Sequence, residues 1–483
     1  MTAAPDLKQR RAAPRGPGND RAARLRRRRQ LQADLLGSAG ILIVVATIGL
    51  WFHGGGVQVM STPGGVATSI GRLTGLVAAA LLLLQVILMS RIPWMERAWG
   101  QDSLARKHRW IGFSSFHLML VHVVLITIGY AQSARVGLLH ESWQLVTTYQ
   151  GMLLAVAGTA ALIMVVVTSM RAARRRMRYE SWHLLHLYAY VGVGLALPHQ
   201  LWTGADFRAS AVATVFWWGL WIAAAAAVVM FRVGLPLVRS VFHGIRVQSV
   251  VYEGPDVVSV VMTGTRLKAM GLQAGQFCQW RFLAGHGWMR AHPFSISAVP
   301  QDDRLRITAK FLGDGSRRLA DLRPGTRVFF EGPYGALTAD RRLKRDVLMI
   351  CAGIGITPMR ALAEQLTAEG ASHERGRLRR PAVTVLHRVQ RAHDLTFAAE
   401  FDHLAARADL RVIPLIGRRG ADSSFFPGPH PVEPGRELRT LVPGLTHREV
   451  YICGPKPFTR EVRRVLNDNG VPPDHVHAEE FGW

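Results

Sequence analysis

Cysteine is nearly absent: only Cys278, Cys351 and Cys453 occur in 483 residues, far apart and with no CxxC pair. That scarcity excludes a disulfide framework, a four-cysteine iron–sulfur cluster and covalently attached c-type haem. Acidic residues are also scarce, 33 Asp+Glu against 59 Lys+Arg, giving a formal net charge of +26. Because 49% of the chain is nonetheless hydrophobic and the basic residues are unevenly placed, this balance points to a membrane surface, and no nucleic-acid partner is expected. A cleavage site of the A-x-A type is missing after the apolar run that begins near Ile41. The basic stretch before that run is too long for a secretory signal peptide. The chain shows no long internal repeat, and its length is enough for several compact units.

Residues 1–32 are Pro/Gly/Ala-rich and then basic, and are expected to form a disordered arm. Within them RAARLRRRRQ, residues 21–30, reads as a positive anchor at the cytoplasmic face. Crossing a bilayer takes about 20 apolar residues. Six candidate spans lie near 35–53, 67–90, 110–131, 148–170, 181–201 and 211–235, predicting a six-helix membrane domain over 33–236. The connections after spans two and four carry Arg91, Arg97, Arg106, Lys107 and Arg109, then Arg171, Arg174, Arg175, Arg176 and Arg178. The opposite loops offer little beyond Arg135 and Arg208. The expectation is a multi-pass cell-membrane protein in contact with lipid, with both termini and the whole second half in the cytoplasm.

Histidine is costly in hydrocarbon and there usually marks a function. Span three carries His108, His117 and His122, and span five carries His183, His186 and His199. At about 100° per residue His108 and His122 fall within about 40° of one face, while His117 points away from His108. The rise between them is about 21 Å, enough for two stacked macrocycles, one near each membrane surface. Span five would supply the opposing ligands, His108 facing His186 at the inner level and His122 facing His199 at the outer. His186 and His199 make a poor angle in a straight helix, so a distortion at Gly192, Gly194 and Pro198 is invoked to turn His199 inward. His183, one turn from His186, remains an alternative. Two imidazoles on each iron leave no open site, which suits electron transfer.

Past Arg232 the apolar runs shorten to strand length. VQSVVYEG, VVSVVMTG, AGQFCQWRF and HPFSISA suggest a small antiparallel barrel over 237–342. From Asp346 strands alternate with helices, implying a parallel, doubly wound sheet over 343–483. In AGIGITP, Gly353 and Gly355 stand between a strand and a helix, where small residues allow close backbone approach and the helix N-terminus favours a pyrophosphate. The third glycine of GxGxxG is missing. Thr357 and Pro358 sharpen the signal, since Pro fits the first helical turn and the Thr hydroxyl can cap it or meet a ligand.

Taken together, HPFSISA (292–298), GDGS (313–316), EGPYG (331–335), AGIGITPMRAL, CGPKPF and the ending EEFGW resemble the ferredoxin-NADP reductase-like flavoprotein module. Joined to six spans with paired histidines, the chain resembles the ferric reductase and NADPH oxidase superfamily over residues 35–483. The resemblance implies that His292, Pro293, Phe294 and Ser295 lie along FAD and that Gly315 and Ser316 form a phosphate-proximal turn. It further implies that Gly353, Gly355, Thr357 and Pro358 line the nicotinamide nucleotide, with Cys453, Gly454 and Pro455 near its reactive ring. Phe481, or Trp483 two residues on, would cover the flavin. Arg388 and Arg391 follow a strand that ends without a carboxylate, which favours NADPH, with NADH left open. Arg72 matches a family position beside the outer haem, where it would stabilise superoxide or hold an anionic chelate or propionate.

The implied route runs from NADPH through FAD and two b-type haems to an extracytoplasmic acceptor. Oxygen-reducing members carry an additional histidine one turn beyond the outer ligand, where this chain has Ile126, so ferric chelate is preferred to oxygen. Open alternatives are a superoxide-producing oxidase, delivery to a quinone or an unidentified redox partner protein, a flavin reductase on a haem-free anchor, and a non-enzymatic membrane haem redox sensor.

Overall fold

The computed structural model describes residues 17–177, 179–285, 288, 290–371, 381–419, 425–428 and 433–481. It divides into one unit spanning Leu31–Gly234 and a second comprising Leu235–Trp483 with Met1–Gln30.

Six long helices occupy the first part of the chain: Pro17–His53, Pro63–Leu88, Gln101–Ala134, Met152–Ser169, Tyr179–Trp202 and Ala211–Ala227. Helical structure over residues 17–32 differs from the disordered arm expected there. Ala, Arg, Leu and Gln are good helix formers and lead without a break into the apolar segment. Residues 1–16 of that arm lie outside the described residues. Five of the long helices are apolar enough to cross a membrane. The remaining one, Tyr179–Trp202, has the length, but His183, His186, His199 and Pro198 lie along it and lower its hydropathy.

Sequence sets the ends of these helices. Thr62 caps the second by accepting a hydrogen bond from the Gly65 N–H at 3.0 Å, with Pro63 in its first turn. Ser210 caps the sixth at Ala213 N, 3.1 Å away. Small residues let the helices approach closely: a Cβ on Gly64 would stand 2.7 Å from Ser133 Oγ, and one on Gly129 2.6 Å from Thr68 N. Gly158 and Gly192 bring the fourth and fifth helices together in the same way. Trp51, Leu83 and Trp217 are buried between the helices, whereas Ile41, Leu42, Val124, Leu184 and Ile222 are exposed on the bundle, an apolar exterior suited to lipid.

The expected antiparallel barrel takes the form of two three-stranded antiparallel sheets. Its strands are β1 (Arg246–Gly254), β2 (Val257–Thr263), β3 (Phe277–Phe282), β4 (His292–Ser295), β5 (Arg304–Lys310) and β6 (Val328–Tyr334). The orders are β1-β2-β5 and β4-β3-β6, linked by single bridges Arg246–Arg327 and Ile296–Ile307. Val258, Val260, Met262, Trp280, Ile307 and Phe330 fill the core between them. The helix Leu235–His243 is pinned to these sheets: Arg239 Nη1 donates to the Gly332 carbonyl at 2.7 Å, and Ser240 Oγ accepts from Phe330 N at 3.0 Å.

β7 (Val347–Ala352), β8 (Val383–Val389), β9 (Leu410–Ile416), β10 (Glu449–Pro455) and β11 (Val476–Phe481) form a parallel sheet in the order β11-β10-β7-β8-β9. Alternate residues of β7 enter different cores: Met349 and Cys351 pack with Met359 and Leu362, while Leu348 and Ile350 pack with Val462 and Leu466. The sheet is therefore covered on both faces, as the alternating sequence predicts. All three cysteines are free and fully buried.

Candidate functional site

In a doubly wound sheet the chain leaves in opposite directions on either side of one strand pair, opening a crevice at the carboxyl ends of those strands. Here that pair is β7 and β10. Gly353–Gly355 follows β7 and leads into the helix Ile356–Ala371, while Cys453, Gly454 and Pro455 end β10. A Cβ on Gly355 would lie 2.3 Å from the Cys453 carbonyl oxygen, and one on Gly454 would lie 3.2 Å from Ala352 Cβ. The two glycine turns thus touch backbone to backbone, and Gly353 uses a positive φ of 53°. Thr357 Oγ1 donates to the Ile354 carbonyl at 2.8 Å, so its hydroxyl shapes the turn, and Pro358 sits buried in the first helical turn. Burial holds the Cys453 thiol protonated, well above its ordinary range.

Two further residues support this crevice, and neither stood out in the sequence. His387 on β8 is buried, with Nε2 3.0 Å from the Gly353 carbonyl oxygen, and burial draws its pKa down to about 4. A neutral ring donating from Nε2 fixes the turn's carbonyl. Glu479 Oε1 on β11 accepts from Ala336 N at 2.7 Å and would stand 2.4 Å from a Cβ on Gly335, tying the EGPYG segment to the crevice edge. Phe481 ends β11 beside Pro455 in the sheet register. Trp483 lies outside the described residues.

Arg388 does not serve as the sequence predicts. It is 8% exposed, with Nε donating to the Phe425 carbonyl at 2.9 Å and Nη1 to the carbonyls of Leu415, at 3.3 Å, and Val389. β8 is buried along its whole length, so the guanidinium is spent on backbone carbonyls and burial lowers its pKa. Of the pair, only Arg391 is exposed.

β4 carries HPFS and is the edge of its sheet, a place that tolerates Pro293. His292 packs against the GDGS turn: a Cβ on Gly315 would be 2.4 Å from its ring. Ser316 Oγ accepts from Leu312 N at 2.9 Å and holds that turn. The rings of His292 and Phe294 stack at 5.9 Å. Ser295 Oγ is buried without a hydrogen-bond partner, as a hydroxyl directed at a bound polar group would be. These residues fit FAD.

In the helical unit the ring centroids of His108 and His186 are 6.0 Å apart. A metal sits about 2 Å from an imidazole nitrogen, so two rings on opposite sides of one metal have centroids about 6 Å apart. His122 Nδ1 donates to the Gly71 carbonyl at 2.7 Å, which leaves Nε2 free for a metal, and a Cβ on Gly75 would stand 2.4 Å from that Nδ1. His199 comes within electrostatic reach of His122, and a Cβ on Gly151 would lie 2.8 Å from His199 N. The fifth helix runs through Pro198 without a break, and Gly192 serves packing against Gly158. His186 Nδ1 is 3.2 Å from Ser169 Oγ, which also accepts from Trp182 Nε1 at 3.2 Å. His117 is exposed and turned to the Phe113 carbonyl, as its helical angle predicts. The inner pair fits two imidazoles on one metal, and His122 keeps a ring nitrogen open for one, so these histidines are the residues that would hold haem. Among the described residues no group of three or more His, Cys, Asp or Glu is arranged to hold a metal ion.

Arg72 is not a free cation. Its Nε donates to Asp206 Oδ2 at 2.8 Å, its Nη2 pairs with Asp206 Oδ1, and the same nitrogen reaches the Gly54 carbonyl. Asp206 lies 134 residues away and is 8% exposed in its side chain, so the charge of Arg72 is already balanced.

Comparison with known proteins matches residues 74–197 to the ferric reductase like transmembrane component, 242–338 to an FAD-binding domain and 349–464 to the oxidoreductase NAD-binding domain. The 3-ketosteroid-9-alpha-monooxygenase ferredoxin reductase component of Mycolicibacterium smegmatis is 30% identical over 246 residues, 49% of this chain and 65% of that protein. The glycine betaine monooxygenase reductase subunit of Chromohalobacter salexigens is 27% identical over 246 residues, 50% of this chain and 64% of that protein. The chain thus spans just under two thirds of the length of these relatives. Among solved structures, the FAD/NAD-binding domain of nitric oxide dioxygenase from Vibrio cholerae covers 50% of this chain and 99% of its own, at 23% identity and a TM-score of 0.40.

Proposed function

We propose that this chain, which joins a match to the ferric reductase like transmembrane component with matches to FAD- and NAD-binding oxidoreductase domains, is a membrane flavoprotein oxidoreductase of the ferric reductase family that passes electrons from cytoplasmic NAD(P)H across the membrane to an extracytoplasmic ferric chelate. The observation that carries the transmembrane part is the His108–His186 ring pair at the spacing of two imidazoles on one metal. When bound, FAD would supply the exchange between a two-electron donor and one-electron carriers, and two b-type haems would supply the relay.

The chain's own part is to bind and to orient. Gly353, Gly355, Gly454 and Pro455 keep the crevice narrow enough for backbone approach to a dinucleotide, and His387 holds its first turn. His292, Pro293, Phe294 and Ser295 present an edge strand to the flavin, with Gly315 and Ser316 alongside. His108 with His186, and His122 with His199, would hold the haems. Arg391 is the cation left to prefer a 2'-phosphate, since Arg388 is committed to backbone. The apolar Ile126, packed against Gly71, places no hydrogen-bonding group beside the outer pair, which favours a chelate over oxygen as acceptor. Positive residues after spans two and four support cytoplasmic termini.

The test is anaerobic reduction of the purified protein by NADPH, followed by haem reoxidation on admitting either a ferric chelate or oxygen. Faster reoxidation by the chelate is expected. Faster oxygen-dependent reoxidation with superoxide released would favour an oxidase, and no haem reduction by NADPH would end the proposed route.

A further inference from the structure

A chain of polar contacts ties the β-rich flavin-binding part of the second unit to its nucleotide-binding sheet. Arg306, on β5, extends a fork to Glu400 on the helix Ala398–Ala405, with Nη1–Oε1 2.7 Å and Nη2–Oε2 2.9 Å. Glu400 also meets Arg360 Nε at 2.6 Å, and Arg360 pairs with Glu364 one turn further along the same helix. Glu364 in turn accepts from Val299 N at 2.7 Å. On its other side Arg306 Nε donates to Ser297 Oγ at 3.0 Å and Nη2 to the Ser297 carbonyl at 2.9 Å.

The placement of these contacts gives them their meaning. Ser297 and Val299 follow the strand His292–Ser295 in the chain, two and four residues past its end. Glu364 and Arg360 stand on the helix Ile356–Ala371, which starts at the Gly353–Gly355 turn. On the proposed reading, in which His292–Ser295 lies along the flavin, the network therefore joins the flavin-binding strand to the helix that begins at the nucleotide crevice. Ala361 of that helix is packed into the core of the β-rich part, between Arg360 and Glu364 in sequence. Ser297, which Arg306 contacts directly, is itself held by a buried hydroxyl chain that runs through Thr308 and Ser259, at 2.8 and 2.7 Å, and ends on Glu253. The Arg306 guanidinium also lies over the Phe397 ring at 4.9 Å. Burial opposes ionisation of Glu400, but hydrogen bonds from Arg306 and the charges of both arginines outweigh it and hold the carboxyl below its ordinary range.

We propose that Arg306, Glu400 and Arg360 are positioning residues for hydride transfer: a charged clasp that sets the nucleotide-binding sheet at the angle which brings the nicotinamide to the flavin. Bound nucleotide and flavin would supply the hydride transfer between them; the clasp itself makes and breaks no bond and would only hold the two parts in place. A fork-on-carboxylate contact fixes orientation as well as distance, which a single hydrophobic contact does not. Sensitivity should be high, because a misplacement of about 1 Å between reacting groups can cost about a hundredfold in rate.

The test uses the full-length protein loaded with FAD. Flavin reduction is followed anaerobically at saturating NADPH for wild type, Glu400→Gln, Arg306→Ala and Arg306→Lys, with FAD content, NADP+ affinity and reduction by dithionite measured alongside. Glu400→Gln and Arg306→Ala are expected to slow flavin reduction by roughly tenfold or more, with FAD content, NADP+ affinity and dithionite reduction held within about twofold. Arg306→Lys keeps the charge and loses the fork, and should fall between. Wild-type rates in Glu400→Gln and Arg306→Ala overturn the proposal, as does a loss of FAD or NADP+ binding in step with the rate. Should Glu400→Gln fail to assemble, Arg306→Lys decides: a reduced rate with full FAD supports the clasp, and an unchanged rate overturns it. If wild type itself is not reduced by NADPH, the NAD(P)H-to-flavin reading fails instead.

Discussion

Replacing Gly355 by alanine should separate nucleotide chemistry from flavin binding. The new Cβ would stand 2.3 Å from the Cys453 carbonyl oxygen and 2.8 Å from its carbon, whereas ordinary contact begins at 3.4 Å. Both neighbours are backbone, so no side chain can swing away, and the turns after β7 and β10 must part by about 1.1 Å. Overpacking of this kind costs about 1–3 kcal/mol of stability. Displacement of a binding loop by about 1 Å costs about a hundredfold in the rate of a positioned transfer. The expected result is a protein that keeps its FAD and is reduced normally by dithionite, yet whose flavin is reduced by NADPH roughly a hundred times more slowly. Gly254→Ala is the control, since nothing lies within 4 Å of its Cβ. A Gly355→Ala protein with wild-type rate and wild-type NADP+ affinity would falsify the placement of the nucleotide between these turns.

Three other perturbations follow from the geometry. His387 is ordinarily half-protonated near pH 6.5 and is held to about 4 when folded, so the stability tied to its neutral ring is present above 6.5 and lost as pH falls toward 4; His387→Phe should flatten unfolding midpoints across that window and raise the KM for NADPH about fivefold through the lost bond to Gly353. Glu449 is fully buried, accepts from Leu343 N and Lys344 N and meets His477 Nε2 at 2.6 Å. Burial opposes its ionisation, but these bonds depress its pKa, so its contribution is present above the ordinary value of 4.5 and fades as pH falls below it; Glu449→Gln should remove that acid limb in a pH series of thermal unfolding curves, and an unaltered limb would count against it. Removing either Arg72 or Asp206 should lower the melting temperature in detergent, at about 1–3 kcal/mol for each, while the double variant should cost less than the two single losses together; strict additivity would mean the pair is not coupled.

Much of the layout was legible because its signals are local or periodic. Histidines in apolar segments stand out by their cost, and the helical angle alone separates His117 from the pair His108 and His122. Strand and helix alternation after Asp346 was enough to predict a doubly wound sheet, and the glycines of AGIGITP and CGP fall where that topology opens. The unread parts are long-range pairings. Nothing near Arg72 in the chain announces Asp206, and nothing near Arg306 announces Glu400, 94 residues on. Arg388 misled because a charged residue at a strand end reads as exposed, whereas β8 is an inner strand covered on both faces, with carbonyls waiting for the guanidinium. The helical start of the basic arm was missed for the opposite reason, since composition argued against a core and said nothing of a helix continued from its neighbour.

The three cysteines carry one more consequence. Each is fully buried, and burial pushes every thiol above its ordinary range, so none offers a thiolate to water. Peroxide formed by stray electrons near such a protein finds no cysteine thiolate to oxidise in the folded state. A cysteine introduced at a surface position would be the one thiol within reach of a water-borne maleimide, so distances across the molecule can be followed with spin or fluorescent labels on the otherwise native chain.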